Sequence, residues 1–541
     1  MRFSFALVFI TLFTYHPAIA QQDAGELHGN FQTDFQLYRK DEKIGAPIVP
    51  EKFRINAFSN IVYTRKNFFA GLRYEAYQNA LLGFDQRYNG QGIPFRYAGY
   101  ETNGFTITLG NFYEQYGSGL LLRAYEERGL GYDNAFDGLR VHYRGIKGLT
   151  LKGLVGRQRV FFSSSKGIVR AFDGEVSLNE LIPGRQEKTV NLIAGAGIVS
   201  KYEPDESSTL RLPANVGCSG GRLKLVMPRL TVSAEYVFKI NDPSYVNSYI
   251  YKNGTGFLFN ASYAQKGFGF TLSAKRIDNM NFRSERDAVN NNLMINFLPA
   301  LTRQHTYNLV ATLYPYATQP NGEMGLQGDL TYTFKKGSWL GGNNGMTLLV
   351  NYANAYAIDQ TPTGDGYGYT SNPFKVGKEL YYQDLNIEVN KKINKRWKMN
   401  LLYANIAFNG RVVAGVTQKP ETVHANIAVV DITHKFNSKH ALRMEAQTLF
   451  TRQDRGNWVT FLAEYTVSPN WFFAALNQYN IGNPDAAARL NYPFVTVGYV
   501  KESTRISISY GRQRAGIFCV GGVCRQVPAS SGLSVTISTS F

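Results

Sequence analysis

Apolar and polar residues take turns along most of this chain. Between Leu230 and Phe238, the residues Leu230, Val232, Ala234, Tyr236 and Phe238 fall on one face, and Thr231, Ser233, Glu235, Val237 and Lys239 on the other. Leu326, Gly328, Leu330, Tyr332 and Phe334 likewise oppose Gln327, Asp329, Thr331 and Thr333. Leu72 and Tyr74 oppose Arg73 and Glu75, and Leu442, Met444 and Ala446 oppose Arg443, Glu445 and Gln447. Successive side chains of a strand point to opposite faces, so a period of two predicts strands with one greasy and one wet side. The segments run to about ten residues, the length that crosses a bilayer as a tilted strand.

A soluble sandwich alternates too. Three features argue against it: the strands are long and numerous, the pattern continues to the last residue, and short connections alternate with long ones. Short ones include Arg65-Lys66-Asn67, Thr102-Asn103-Gly104 and Ser468-Pro469-Asn470; long ones include 79–93, 115–137, 201–219, 278–289 and 358–378. The fold class is therefore all-β, a transmembrane antiparallel β-barrel of about 26 strands, with 22–26 compatible. Segments 290–299 and 305–316 are among the predicted strands, the first chosen partly because it keeps the connections in step. An even number lets both ends of a closed antiparallel barrel lie on one side. The strands begin soon after the leader, so no separate plug domain is expected, and 21–541 reads as a single barrel domain.

The leader itself is the segment 1–20. Arg2 precedes an uncharged apolar run, Phe5 to Phe13, and Ala18-Ile19-Ala20 supplies a small-x-small cleavage site. This predicts export and a place in the outer membrane of a Gram-negative cell. Leu533, Val535, Ile537, Thr539 and Phe541 alternate to a terminal aromatic, like the C-terminal β-signal read by the barrel assembly machinery. The composition agrees with a barrel. Tyr (35) and Phe (36) far outnumber Trp (4), as strands and aromatic girdles require.

A net charge of +18 could point to nucleic acid. Here Lys and Arg are scattered along strands and turns, and no nucleic-acid motif accompanies them. A positive lumen or rim that attracts anionic solutes or lipopolysaccharide fits better. Cys519 and Cys524 flank Val520-Gly521-Gly522-Val523 and could close a small disulfide loop in an exported protein, while Cys218 has no obvious partner. No cofactor or metal is expected. Asp133, Asn134 and Asp137 lack the EF-hand spacing for calcium. The histidines beyond the leader, His28, His142, His305, His424, His434 and His440, lie in no nucleophile motif, so the chain does not read as an enzyme.

The densest polar constellation lies between two strands. Arg123, Glu126, Glu127 and Arg128 could share one helical turn; Asp133 and Asp137 follow, and Arg140, His142 and Arg144 line the next strand. A loop folded into the lumen with carboxylates facing arginines is how a porin narrows its pore. The same residues could instead form a salt-bridged loop that rigidifies the barrel. Both readings put the segment inside. Segment 358–378, with Asp359, Asp365, Tyr367 and Tyr369, reads as an exposed loop.

Three stretches also carry a resemblance: Asn111-Phe112-Tyr113-Glu114 through Gly117, Gly119, Arg123, Glu126 and Gly131-Tyr132-Asp133-Asn134; Leu298-Pro299-Ala300-Leu301-Thr302-Arg303-Gln304-His305-Thr306-Tyr307; and Gly511-Arg512-Gln513-Arg514 to Cys524. Together they resemble a family of large outer-membrane β-barrels from Bacteroidota that has no settled activity. The resemblance covers most of the chain beyond the leader. It implies a barrel in the outer membrane and an accessory role in a larger complex, near the type 9 secretion translocon, whose pore is closed by a plug subunit. Two functions stand open on the sequence: a channel for small, anionic solutes, and a non-transporting partner or plug subunit of that translocon.

Overall fold

The computed structural model describes residues 25–185, 188–415, 422–520 and 523–541; the leader 1–20 lies outside them. Twenty-four strands form one closed antiparallel sheet. It begins with Glu26–Tyr38 and ends with Ser530–Ser540. The last strand pairs on one side with Thr504–Gln513 and on the other with the first strand, in the register Phe35↔Val535 and Phe31↔Thr539. That seam leaves no open edge, the condition for placing backbone in lipid.

The faces sort as the alternation predicts. Leu109 (59% exposed) and Phe461 (60%) point outward at mid-strand, as do Tyr236, Val495 and Ile508. Burying each such side chain in hydrocarbon gains about 1.5–3 kcal/mol, which a water-exposed sheet would forgo. Aromatic pairs ring the end that carries the short turns: Phe105 with Tyr143 at 4.6 Å, Tyr332 with Phe334 at 4.8 Å and Trp471 with Tyr499 at 4.7 Å. Amphipathic rings at one level are what a membrane–water boundary selects.

The strand number falls inside the expected range, but two predicted strands are absent. Segments 290–299 and 305–316 belong to a long connection, 279–321, between Phe268–Asp278 and Gly322–Phe334. It turns into the barrel instead of crossing the membrane. Leu293-Met294-Ile295 put three apolar residues in succession, and Pro299, Pro315 and Pro320 each remove a ladder donor. A further correction concerns 358–378. Met346–Pro362 and Tyr369–Lys392 extend across most of it, so the expected loop is a two-stranded hairpin, with Tyr367 at its turn and Phe374 on its arm exposed, and Tyr251 N donating to Tyr367 O at 2.7 Å.

The lumen has two unlike halves. Toward the long-loop end its wall mixes apolar faces with buried ion pairs: Val423, Ala425, Ile427 and Val429 are buried along one inner face, and Lys201 meets Asp242 at 2.9 Å on another. Two hydrophobic clusters form there between wall and inserts. Phe282, Ile295 and Leu298 pack with Leu120 to Leu122 against Val199, Val216 and Val237. Leu309, Val310 and Tyr314 pack against Ile406, Ile427 and Trp458. Toward the short-turn end the wall is polar. Asn351 donates to Asp329 at 2.7 Å and Asn386 to Asn351 at 3.0 Å, a ladder over three strands. Arg222 bridges Asp173 (2.7 Å) and Glu175 (3.0 Å).

Candidate functional site

Two inserts meet inside the long-loop half. The first is 113–135, between Phe105–Phe112 and Phe136–Tyr143. In place of the expected helical turn it makes two minimal hairpins, Gln115–Tyr116 with Leu122–Arg123 and Glu126–Glu127 with Tyr132–Asp133, the second closed by a 3-10 turn at Arg128–Leu130. Gly117 lets the first hairpin lie on the far wall. Its φ is +54°, a Cβ there would stand 2.7 Å from Glu235 Oε2, and the next amide, Ser118 N, donates to that oxygen at 2.8 Å. The second insert, 279–321, meets the first through backbone bonds: Arg123 N donates to Ile295 O and Phe297 N to Gly119 O, both at 2.9 Å. Asn134 and Gln158 both donate to Met294 O, at 2.7 and 2.8 Å.

An ion cluster clamps the first insert to the wall. Arg73 reaches Glu75 (2.7 Å), Glu126 (2.8 Å) and Asp133; Arg159 reaches Glu75 (2.5 Å) and Asp133 (2.6 Å); Arg128 holds Glu126 at 2.8 Å. Three guanidiniums thus face three carboxylates. Charges this deeply buried cost several kcal/mol each unless a counterpart and hydrogen bonds offset the lost hydration, as they do here. The second insert is pinned on the opposite wall: His305 to Asp384 at 2.7 Å, Arg303 to Asn386 at 2.8 Å and to Glu388, and Leu309 N to Gln447 Oε1 at 2.9 Å.

The residues singled out from sequence scatter over several roles. Glu126, Arg128 and Asp133 join the clamp. Glu127 caps the 3-10 turn by accepting from Gly129 N at 3.2 Å. Arg123 lies over the rings of Tyr125 and Phe297, at 4.6 and 4.2 Å. Arg140 donates to Tyr113 O and Thr108 Oγ1 at 3.1 and 3.0 Å. His142 meets Glu114, which Lys152 also reaches at 3.0 Å. Asp137 sits apart, paired with exposed Arg96 at 3.3 Å. Arg144 lies beyond the strand end, exposed in the turn, so it does not continue the row begun by Arg140 and His142.

Arg73, Glu75 and Arg159 escaped selection although alternation already turned Arg73 and Glu75 inward. That 279–321 forms one insert also escaped, since only 278–289 was expected as a connection; its prolines were the available signal.

Between the inserts and the outer loops lies a cavity of about 680 Å³. It is bounded by 79–89, 113–135, 279–321 and the hairpin Gly516–Val520 with Val523–Val527. Cys519 and Cys524 are joined by a disulfide across that hairpin, and Asn291 donates to Cys524 O at 2.8 Å, tying it to the second insert. Phe84, Tyr125, Tyr132, Phe161 and Phe297 supply aromatic walls; Arg283 and Arg525 supply charge. Burial pushes the Tyr125 phenol up to about 12, so it faces the cavity as a neutral group.

A family model described as a family of unknown function (DUF6029) matches residues 1–541. No curated protein matches the sequence. Among solved structures the chain is similar to the translocation pore of the P pilus usher PapC, with 8% identity and a TM-score of 0.40 over 95% of this chain and 99% of that one. It is similar to the siderophore receptor PirA from Acinetobacter baumannii, with 9% identity and a TM-score of 0.44 over 96% and 81%. It is also similar to a chain of the E. coli P pilus tip assembly intermediate PapC-PapD-PapK-PapG, with 10% identity and a TM-score of 0.47 over 97% and 62%.

Proposed function

The chain belongs to DUF6029, a family of unknown function, and we propose from its own geometry that it is a gated transporter of small anionic solutes in the outer membrane. One observation carries this reading. A polar vestibule at the short-turn end and a cavity at the long-loop end are separated by inserts held to the wall through hydrogen bonds and ion pairs. Such contacts can open and re-form; a covalent wall cannot. Glu175 and Arg443 stay partly exposed in the vestibule, which fits a wet passage below the seal. With short turns in the periplasm and long loops outside, as barrels of this class are oriented, the cavity faces the medium. The chain's excess of basic residues favours anions.

A second reading is an accessory or plug subunit of a protein-secretion translocon of the type 9 kind, in contact with lipid, lipopolysaccharide and a larger complex. The hairpin built on Met346–Pro362 and Tyr369–Lys392 favours it, since Phe374 on its arm is 90% exposed and Tyr367 at its turn 57%. Flux into proteoliposomes separates the two. Entry of small carboxylates in preference to matched cations supports the transporter. No flux, with co-purification of a larger barrel that is lost on trimming 359–375, replaces it with the subunit.

A further inference from the structure

Inside the barrel, guanidiniums are usually paired. Arg73, Arg159, Arg222 and Arg443 each touch at least one carboxylate. The two that line the 680 Å³ cavity do not, a state they share with Arg140 and Arg514 outside it, whose donors go to neutral oxygens. Arg283 spends its donors on neutral oxygens: Asn281 Oδ1 at 2.9 Å, Asn292 O at 2.8 Å and Asn290 O at 2.6 Å. Arg525 lies 4.2 Å over the Phe84 ring, makes one long bond to Leu82 O at 3.4 Å, and keeps a buried Nε with no partner. Among the described residues neither has a carboxylate partner. The acid among the described lining residues, Asp85, is occupied by Arg87 at 2.6 Å. Burial lowers both guanidiniums to about 10, so both remain cationic at neutral pH.

Two uncompensated cations beside an aromatic wall define a ligand by its chemistry. We infer that this cavity binds a small organic carboxylate with an aromatic or aliphatic body, its carboxylate between Arg283 and Arg525 and its body against Phe84, Tyr132 and Phe297. A planar guanidinium matches a carboxylate in two parallel hydrogen bonds, and a volume of several hundred Å³ suits a ligand of small-molecule size. The inference deepens the transport reading by naming the solute class, but binding can be measured without flux.

The test is titration calorimetry of the detergent-solubilised mature barrel with phenylacetate, decanoate, phenylacetamide and inorganic phosphate. The carboxylates bind, phenylacetamide binds at least about tenfold more weakly, and phosphate does not displace phenylacetate. Arg525→Gln, whose side chain holds little of the fold, weakens phenylacetate about tenfold while the barrel still migrates as a heat-modifiable species; Arg525→Lys recovers part of the loss. Equal binding of phenylacetate and phenylacetamide, displacement by phosphate alone, or unchanged affinity in Arg525→Gln overturns the assignment. Binding without proteoliposome flux removes the transport reading and leaves the site. Flux in a barrel that shows no calorimetric binding removes the site and leaves transport.

Discussion

Arg159, on the wall strand Leu149–Val160, and Asp133, at the end of an inward-folded hairpin, meet at 2.6 Å with only 3% and 6% of their side chains exposed. The contact joins a membrane-embedded strand to a segment that never enters lipid. It makes the position of the insert a property of the barrel wall.

Removing one partner of such a pair strands a buried charge. Asp133→Asn keeps the volume but leaves Arg73 and Arg159 short of one carboxylate, at a cost of about 3–5 kcal/mol. The expected result is a lower midpoint of heat modifiability and new protease cleavage within 113–135. The double variant Asp133→Asn/Arg159→Gln loses less than the two singles combined. Strict additivity would mean that the two groups do not act as a pair.

The 279–321 insert is the larger part of the seal. Replacing 284–312 by a short Gly-Ser linker removes Ile295, Leu298 and Leu309 from both apolar clusters. Planar-bilayer recordings should show the intact barrel mostly closed and the shortened one conducting steadily, by an order of magnitude more. A shortened barrel that folds and stays closed would place the barrier elsewhere.

Phe461, outward at mid-strand on Trp458–Val467, reports on the membrane itself. Phe461→Arg should cost about 2–4 kcal/mol near the bilayer midplane, read as a lower folding yield into lipid vesicles. Thr466→Arg, on the inward face of the same strand, should fold normally. Equal penalties would contradict the assignment of faces.

Glu114 lies just past the strand Phe105–Phe112, against His142 and Lys152 and near Arg140. Burial pushes its carboxyl up, but the hydrogen bond with His142 and the Lys152 charge outweigh that and hold it below its ordinary value of 4.5. An acid with a depressed folded value contributes stability above its unfolded value and loses it as pH falls through the folded one. The hairpin should therefore resist limited proteolysis from neutrality down to the ordinary glutamate range and loosen only below it. Loosening already near neutrality would rule this anchor out.

The disulfide between Cys519 and Cys524 closes a very short loop, so its contribution through chain entropy is about 2 kcal/mol and local. Replacing both cysteines by serine should leave heat modifiability of the barrel unchanged while cleavage within 514–529 rises. A global loss of folding would show that the hairpin supports the wall rather than roofing the cavity.

The strands themselves were legible in the sequence. Alternation is a property of each strand's own pleat, so Leu326, Leu330 and Tyr332 could be sent outward, and Gln327 and Asp329 inward, without knowing any neighbour. The closing strand with Leu533, Val535 and Ile537 was readable for the same reason. Only the tertiary structure decided the interior. Whether Leu293 to Phe297 cross a membrane or fill a lumen depends on the space that distant strands enclose, and apolar composition serves both. The pairing of Arg73 with Asp133, and of His305 with Asp384, joins residues far apart in the chain, and the folding of each insert inward across its neighbouring strands is what brings them within hydrogen-bond reach. Local pattern thus determined the wall, while the inward folding of the inserts determined what the wall contains.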